Sequence, residues 1–236
     1  MQQQSTSTLV LIPGMGNNER LWSAQIELLT PDIDVVVPDY SGAKSLPEMS
    51  AAVVQQLPPG QVSLLGFSLG AYIALDIVAR DPQRVERLAL ISASPFADTE
   101  KIAEQRRHLI VAAERDYEAL LDSMGEFIVF GDGENAQHTR ELLGSMGREL
   151  GIEEFCRQQV ATMKRKDCTA MLSDIACPCS ILCGANDAVT PLSGNQYLAD
   201  HIQDASIQIL QQCGHIVPLE RPEETAAFIE EFLSKR

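Results

Sequence analysis

The segment Gly66-Phe67-Ser68-Leu69-Gly70 is the most informative part of this chain. It follows an apolar run, Val62 to Leu65, that predicts a strand, and it opens a helical pattern that continues to Ala79. A serine on so sharp a strand-to-helix turn needs small residues two positions to either side, because strand and helix approach too closely there for side chains. Gly66 and Gly70 meet this need. Ser68 is therefore the first candidate for a covalent nucleophile.

The helix that follows Ser68 would add a favourable electrostatic field. Its N-terminal amides and the positive end of its dipole would point at the serine and stabilise the anion formed when a carbonyl is attacked. A nucleophilic serine also needs a base to take its proton and an acid to orient that base. The motif has only three fixed positions, so by itself it equally fits a Gly-rich turn without chemistry.

The C-terminal third of the chain offers both missing groups. Asp187 comes just after the apolar run Ser180 to Cys183, and His215 comes just after the run Ile207 to Leu210. Residues at the carboxyl ends of parallel strands line one crevice in an open α/β sheet, so these two side chains and Ser68 are expected to converge. Taken alone, Asp187 is also a good turn residue that could cap the next helix.

These motifs occur in the chain order Ser, Asp, His, preceded by a loop at Pro13-Gly14-Met15-Gly16. With them the chain resembles the α/β-hydrolase superfamily over nearly its whole length. The resemblance implies that Ser68 is the nucleophile, that His215 is the general base and then the general acid, and that Asp187 orients His215.

The same resemblance implies an oxyanion hole made by the backbone N–H groups of Leu69 and Met15. It implies no metal and no organic cofactor. Some members of the superfamily carry the acid of the triad after the fourth strand, and here that position offers Asp98, shortly after the apolar run Leu88 to Ile91. We prefer Asp187 because it lies closer to the end of a strand.

Alternation of strand-like runs and helical patterns predicts an α/β fold with a mostly parallel central sheet and helices on both faces. We expect one domain over residues 1–236. Between about 94 and 174 the alternation stops, and amphipathic helical segments predict a helical cap inserted after the fourth strand. These segments include Lys101 to Arg115, Tyr117 to Phe130 and Asn135 to Leu150. The predicted strands are Leu9 to Ile12, Val35 to Val37, Val62 to Leu65, Arg87 to Ile91, Ser180 to Cys183 and Ile207 to Leu210.

The expected activity is that of a serine hydrolase that cleaves a carboxylic ester or thioester of a small molecule through an acyl-enzyme. Two alternatives stay open. The same triad serves hydrolysis of a carbon–carbon bond in diketone-type metabolites, and proteins of this fold also act as non-catalytic binders of small molecules. Loss of a triad residue would favour the binder, and none is missing here.

Charge and composition limit the partners. The formal net charge is −15 and the pI is near 4.6, which disfavours nucleic acid and anionic membrane surfaces. The basic clusters Arg106-Arg107 and Lys164-Arg165-Lys166 are short, and we interpret both as solvated helix faces. The expected partner is thus a small ester-type molecule, and the sequence leaves the oligomeric state undetermined.

The six cysteines and the N-terminus predict a cytoplasmic protein. All six cysteines lie in the last third of the chain, and residues Met1 to Thr8 contain no positive charge and no long apolar stretch. Cys177-Pro178-Cys179 lacks a second pair of ligands and leads into a predicted buried strand, so we do not interpret it as a zinc site.

Overall fold

A computed structural model of the chain describes residues 8–31 and 33–235. Residues 1–7, which entered the prediction of location, lie outside this range. The described residues form a six-stranded sheet in the order β2-β1-β3-β4-β5-β6, and every neighbouring pair is parallel. The strands are β1 (Thr8–Ile12), β2 (Val35–Val36), β3 (Val62–Phe67), β4 (Val85–Ile91), β5 (Cys179–Gly184) and β6 (Ala205–Leu210).

Helices cover the sheet on both faces. Successive residues of a strand point to opposite faces, and the central strands are apolar at consecutive positions because both faces are buried. The helices are α1 (Ser23–Leu28), α2 (Leu46–Gln56), α3 (Leu69–Arg80), α4 (Glu100–Arg115), α5 (Tyr117–Ile128), α6 (Glu134–Met163), α7 (Leu192–His201), α8 (Val217–Glu220) and α9 (Pro222–Ser234). In β1, Val10 and Ile12 join one core cluster with residues of α2, α3 and α7, while Leu9 and Leu11 join a second cluster with residues of α6 and α9. The predicted fold class is confirmed.

Three helices, α4 to α6, lie in sequence between β4 and β5, where the pattern predicted an insertion. We call Glu100–Met163 the α4–α6 segment. Helix α6 consists of two helical pieces that meet at a kink at Gly151, with φ +80°, so the first piece ends beside the expected end at Leu150 and the second continues to Met163. Gly151 adopts this left-handed conformation without the steric cost that a side chain would impose.

Helix α5 ends at Ile128, two residues before the expected end. The chain turns to extended backbone at Val129, and the N–H of Phe130 donates to the side chain of Glu220 instead of a helical carbonyl. Among the residues that the structure describes, no helix is both long enough and apolar enough to cross a membrane.

Candidate active site

Ser68 lies on the turn between β3 and α3 in a strained conformation, with φ +52° and ψ −112°. The two glycines beside it make this turn possible. A Cβ atom on Gly66 would lie 2.2 Å from the carbonyl oxygen of Gly70, and a Cβ on Gly70 would lie 2.3 Å from that of Ile12. Both clashes are with backbone, which cannot move aside as a flexible side chain could. The close approach of strand and helix expected from the sequence is therefore present.

The structure brings Ser68, His215 and Asp187 together in one line. Ser68 Oγ lies 3.0 Å from His215 Nε2, and His215 Nδ1 lies 2.8 Å from Asp187 Oδ2. A carboxylate only accepts hydrogen bonds, so Nδ1 carries the proton and Nε2 is free to accept from the serine hydroxyl. Each side chain comes from a different loop at the carboxyl end of a strand.

Asp187 is fixed by four hydrogen bonds. Its Oδ1 accepts from the backbone N–H groups of Val189 and Thr190, each at 2.8 Å, and its Oδ2 accepts from Thr190 Oγ1 at 2.6 Å as well as from His215. Burial alone would raise the pKa of Asp187, but the nearby charge of His215 and these donors outweigh burial and lower the pKa to about 2. The carboxylate therefore stays ionised through the physiological pH range.

Thr190 was not singled out from the sequence, although its place three residues after Asp187 is typical of a side chain that bonds back to a turn.

We expect Thr190→Val to lower the free energy of unfolding by about 1.5–3 kcal/mol at pH 7, because a hydrogen bond to a charged group is lost. The stability from ionised Asp187 is present above its ordinary pKa of 3.8 and is lost as pH falls toward about 2. The difference in the free energy of unfolding between the wild type and Thr190→Val should therefore become smaller as the pH falls from 3.8 toward about 2.

Urea unfolding at a series of pH values measures this difference. Thr225→Val is the matched control, because the Thr225 hydroxyl is buried and, among the described residues, donates to uncharged backbone carbonyls, those of Val217 and Arg221. Its loss of stability should not depend on pH between 4 and 2. If the loss of stability in Thr190→Val were also independent of pH over this range, the Thr190 hydroxyl would not be stabilising the ionised form of Asp187.

The backbone around His215 is held on several sides. Its N–H donates to the carbonyl of Ile128 at 2.9 Å, and its carbonyl accepts from Ser92 Oγ at 3.0 Å. The Phe67 ring lies against the imidazole, with 5.2 Å between ring centroids. The side chain of His215 is only 6% exposed. Because Ile128 ends α5, the α4–α6 segment takes part in placing the histidine.

The Pro13–Gly16 loop lies beside the serine turn and is fixed at three points. Tyr40 Oη donates to the carbonyls of Pro13 and Gly14, at 2.9 and 3.1 Å, and the N–H of Gly16 donates to Gln158 Oε1 at 2.9 Å. Met15 is half-buried and packs against a small cluster in the α4–α6 segment that includes Phe155. No sequence pattern singled out Tyr40 or Gln158.

Asp98, the alternative acid, lies in a different ion-pair network. Its side chain is 1% exposed and accepts from Arg106 Nε at 2.6 Å and from Arg165 Nη1 at 2.5 Å. The interpretation of both basic clusters as solvated faces is wrong for these two arginines. Arg106 and Arg165 turn inward because a buried carboxylate needs cationic partners, and Arg165 also covers the Tyr72 ring at 4.3 Å.

The other histidines, His108, His138 and His201, are exposed, as expected. Within residues 8–31 and 33–235 no three His, Cys, Asp or Glu side chains are grouped so that they could hold a metal ion. Cys179 is buried in β5, and Cys177 carries a free thiol.

Fold and geometry together define an α/β enzyme with a serine, a histidine and a carboxylate in line. The model of the alpha/beta hydrolase family matches residues 9–228. The chain therefore belongs to the alpha/beta hydrolase family, as the motifs indicated, and the protein is a hydrolase.

Named relatives and solved structures agree with this membership. A pimeloyl-[acyl-carrier protein] methyl ester esterase from Aromatoleum aromaticum is 29% identical, with 94% of this chain and 96% of the relative covered. An esterase of the same name from Serratia marcescens is 26% identical over 96% and 93% of the two chains. A thermophilic esterase from Thermogutta terrifontis superposes with a TM-score of 0.85 at 24% identity, covering 97% of this chain and 90% of that one.

Proposed function

We propose that this protein hydrolyses a carboxylic ester or thioester of a small molecule, with Ser68, His215 and Asp187 as its catalytic triad. The observation that carries the proposal is the pair of hydrogen-bond distances, 3.0 Å from Ser68 Oγ to His215 Nε2 and 2.8 Å from His215 Nδ1 to Asp187. This is the geometry that nucleophilic catalysis by serine requires. The names of the relatives from Aromatoleum aromaticum and Serratia marcescens support an ester as the substrate.

The reaction proceeds in two halves. Ser68 Oγ attacks the ester carbonyl carbon while its proton passes to His215 Nε2, and the backbone N–H groups of Leu69 and Met15 stabilise the oxyanion. Collapse of this intermediate breaks the bond to the alcohol or thiol, which takes the proton from His215. Water then attacks the acyl-enzyme, His215 accepts its proton and returns it to Ser68, and the acid leaves.

We further propose that the α4–α6 segment, within residues 94–174, is a cap over this site. Support comes from its hydrogen bonds to two loops of the site. Gln158 binds the Pro13–Gly16 loop through the N–H of Gly16, and the carbonyl of Ile128 binds the backbone of His215. The cap thus contacts both loops that surround the reacting atoms.

Labelling with an alkyl fluorophosphonate tests the proposal directly. The reagent phosphonylates only a serine whose proton is removed by a positioned base, and fluoride leaves. We expect a single adduct by intact mass, mapped by proteolysis to the peptide that contains Ser68, and no adduct on Ser68→Ala or on protein unfolded in urea. A folded wild-type protein without an adduct would overturn the proposed function.

Methyl esters of short and medium-chain acids are the first substrates to assay after labelling, because the relatives' names specify a methyl ester. The matching thioesters, assayed on the same preparation, separate the two substrate classes. If the protein forms the adduct but hydrolyses neither esters nor thioesters, Ser68 is still supported as the nucleophile and the proposed substrate class is rejected.

A further inference from the structure

The structure places a second buried carboxylate, Glu220, at the loop that carries His215. Glu220 is 5% exposed and lies at the end of α8. Its Oε2 accepts from the N–H of Gly214 at 2.7 Å, and its Oε1 accepts from the N–H of Ile216 at 3.0 Å. One carboxylate therefore binds the residues immediately before and after the histidine.

The same carboxylate also reaches the α4–α6 segment. Oε2 accepts a third hydrogen bond, at 3.1 Å, from the N–H of Phe130, two residues beyond the carbonyl of Ile128 that binds His215. The approach is tight, because a Cβ on Gly214 would lie 2.7 Å from the Ile128 carbonyl oxygen and 2.9 Å from Glu220 Oε1. The histidine loop and the end of α5 are thus joined through Glu220.

Three backbone N–H groups aimed at one carboxylate leave little freedom to the loop. A buried carboxylate without donors would be costly, and a buried N–H without an acceptor would be costly too, so the arrangement is stable only with all three bonds formed. Burial raises the pKa of Glu220 above its ordinary value, and the three N–H donors and the nearby charge of His215 offset only part of that rise. No role in the chemistry given above uses this side chain.

We propose that Glu220 is a positioning residue that holds the imidazole of His215 in line between Ser68 and Asp187, by fixing the backbone on both sides of the histidine to the end of α5. The inference rests on the proposed function. Glu220 acts on His215 through Gly214 and Ile216 and does not itself touch the reacting atoms.

Glu220→Gln tests this role with nearly the same shape. The glutamine amide has only one acceptor oxygen. Its NH₂ group replaces the other carboxylate oxygen and faces a backbone N–H, which is also a donor, so at least one of the three hydrogen bonds is lost. Small displacements of a catalytic group cost up to about 100-fold in rate, so we expect a 10- to 100-fold lower kcat and rate of fluorophosphonate labelling, with KM changed less than about threefold. Glu220→Asp keeps the charge but cannot span all three donors, and it serves as the second variant if the first does not fold.

Asp98→Asn is the matched control, since the carboxylate of Asp98 is also buried but binds the side chains of Arg106 and Arg165 instead of the histidine loop. It should lose stability, while its folded fraction labels at the wild-type rate. Glu220 variants that also label at the wild-type rate would overturn the proposal.

The proton on His215 Nδ1 gives a readout that does not need catalysis. Its low-field NMR signal, assigned by its absence in Asp187→Asn, should shift or broaden in Glu220→Gln and stay in place in Asp98→Asn. If the wild type forms no fluorophosphonate adduct but the low-field signal still shifts in Glu220→Gln, the proposed function is rejected and the positioning role is kept. A signal unchanged in folded Glu220→Gln would reject the positioning role.

Discussion

Replacement of His215 by alanine is expected to lower kcat for ester hydrolysis by about 10⁴- to 10⁶-fold. His215 Nε2 is 3.0 Å from Ser68 Oγ, and among the described residues no other histidine hydrogen-bonds to that serine. Without the imidazole the serine keeps its proton at neutral pH and is a poor nucleophile. Because the side chain is buried and pairs with Asp187, its removal should also lower stability, and the loss in kcat per folded molecule should far exceed any change in KM.

His108→Ala is the control for this experiment. The side chain of His108 is 75% exposed on α4 and pairs with Glu104, so its removal should change kcat less than twofold. Steady-state kinetics on a methyl ester, with circular dichroism to verify folding, gives both values. An His215→Ala protein that retained a tenth of the wild-type kcat would show that another group removes the proton.

Asp187→Asn is expected to lower kcat by about 10⁴-fold while Asp98→Asn leaves it near the wild-type value. An asparagine at position 187 can present an N–H to His215 Nδ1, which favours the tautomer with its proton on Nε2. That tautomer cannot accept the proton of Ser68. The negative charge that stabilises the imidazolium formed during the reaction is lost as well.

Asp98→Asn should lose stability although it keeps its activity. Asp98→Asn leaves Arg106 and Arg165 without their buried anion, which costs about 3–5 kcal/mol. Chemical unfolding together with kcat per folded molecule separates the two effects. An inactive Asp98→Asn beside an active Asp187→Asn would reverse the assignment of the acid.

The sequence predicted the fold and the approach of Ser68, Asp187 and His215 because those features depend on local patterns. Each predicted strand was a largely apolar run, and each of the three residues came a few positions after the end of such a run. The glycines at 66 and 70 were informative for the same reason, since a close backbone approach excludes any side chain.

The supporting residues could not be predicted in this way. Glu220 bonds to Phe130, 90 positions earlier, and Gln158 bonds to Gly16 across 142 positions, so nothing in their own neighbourhood marks them. Arg106 and Arg165 looked like surface charges because their buried partner, Asp98, lies on the loop after β4. Such contacts exist only once the α4–α6 segment has packed onto the sheet.

The order of the site along the chain has a consequence for protein synthesis. Ser68 leaves the ribosome 147 residues before His215, a delay of roughly 7–30 s at about 5–20 residues per second. During this time β3 and α3 can form the serine turn, but the nascent chain has no base for it. The unfinished protein is therefore expected to be inert toward esters until the loop after its last strand, which carries His215, has been made.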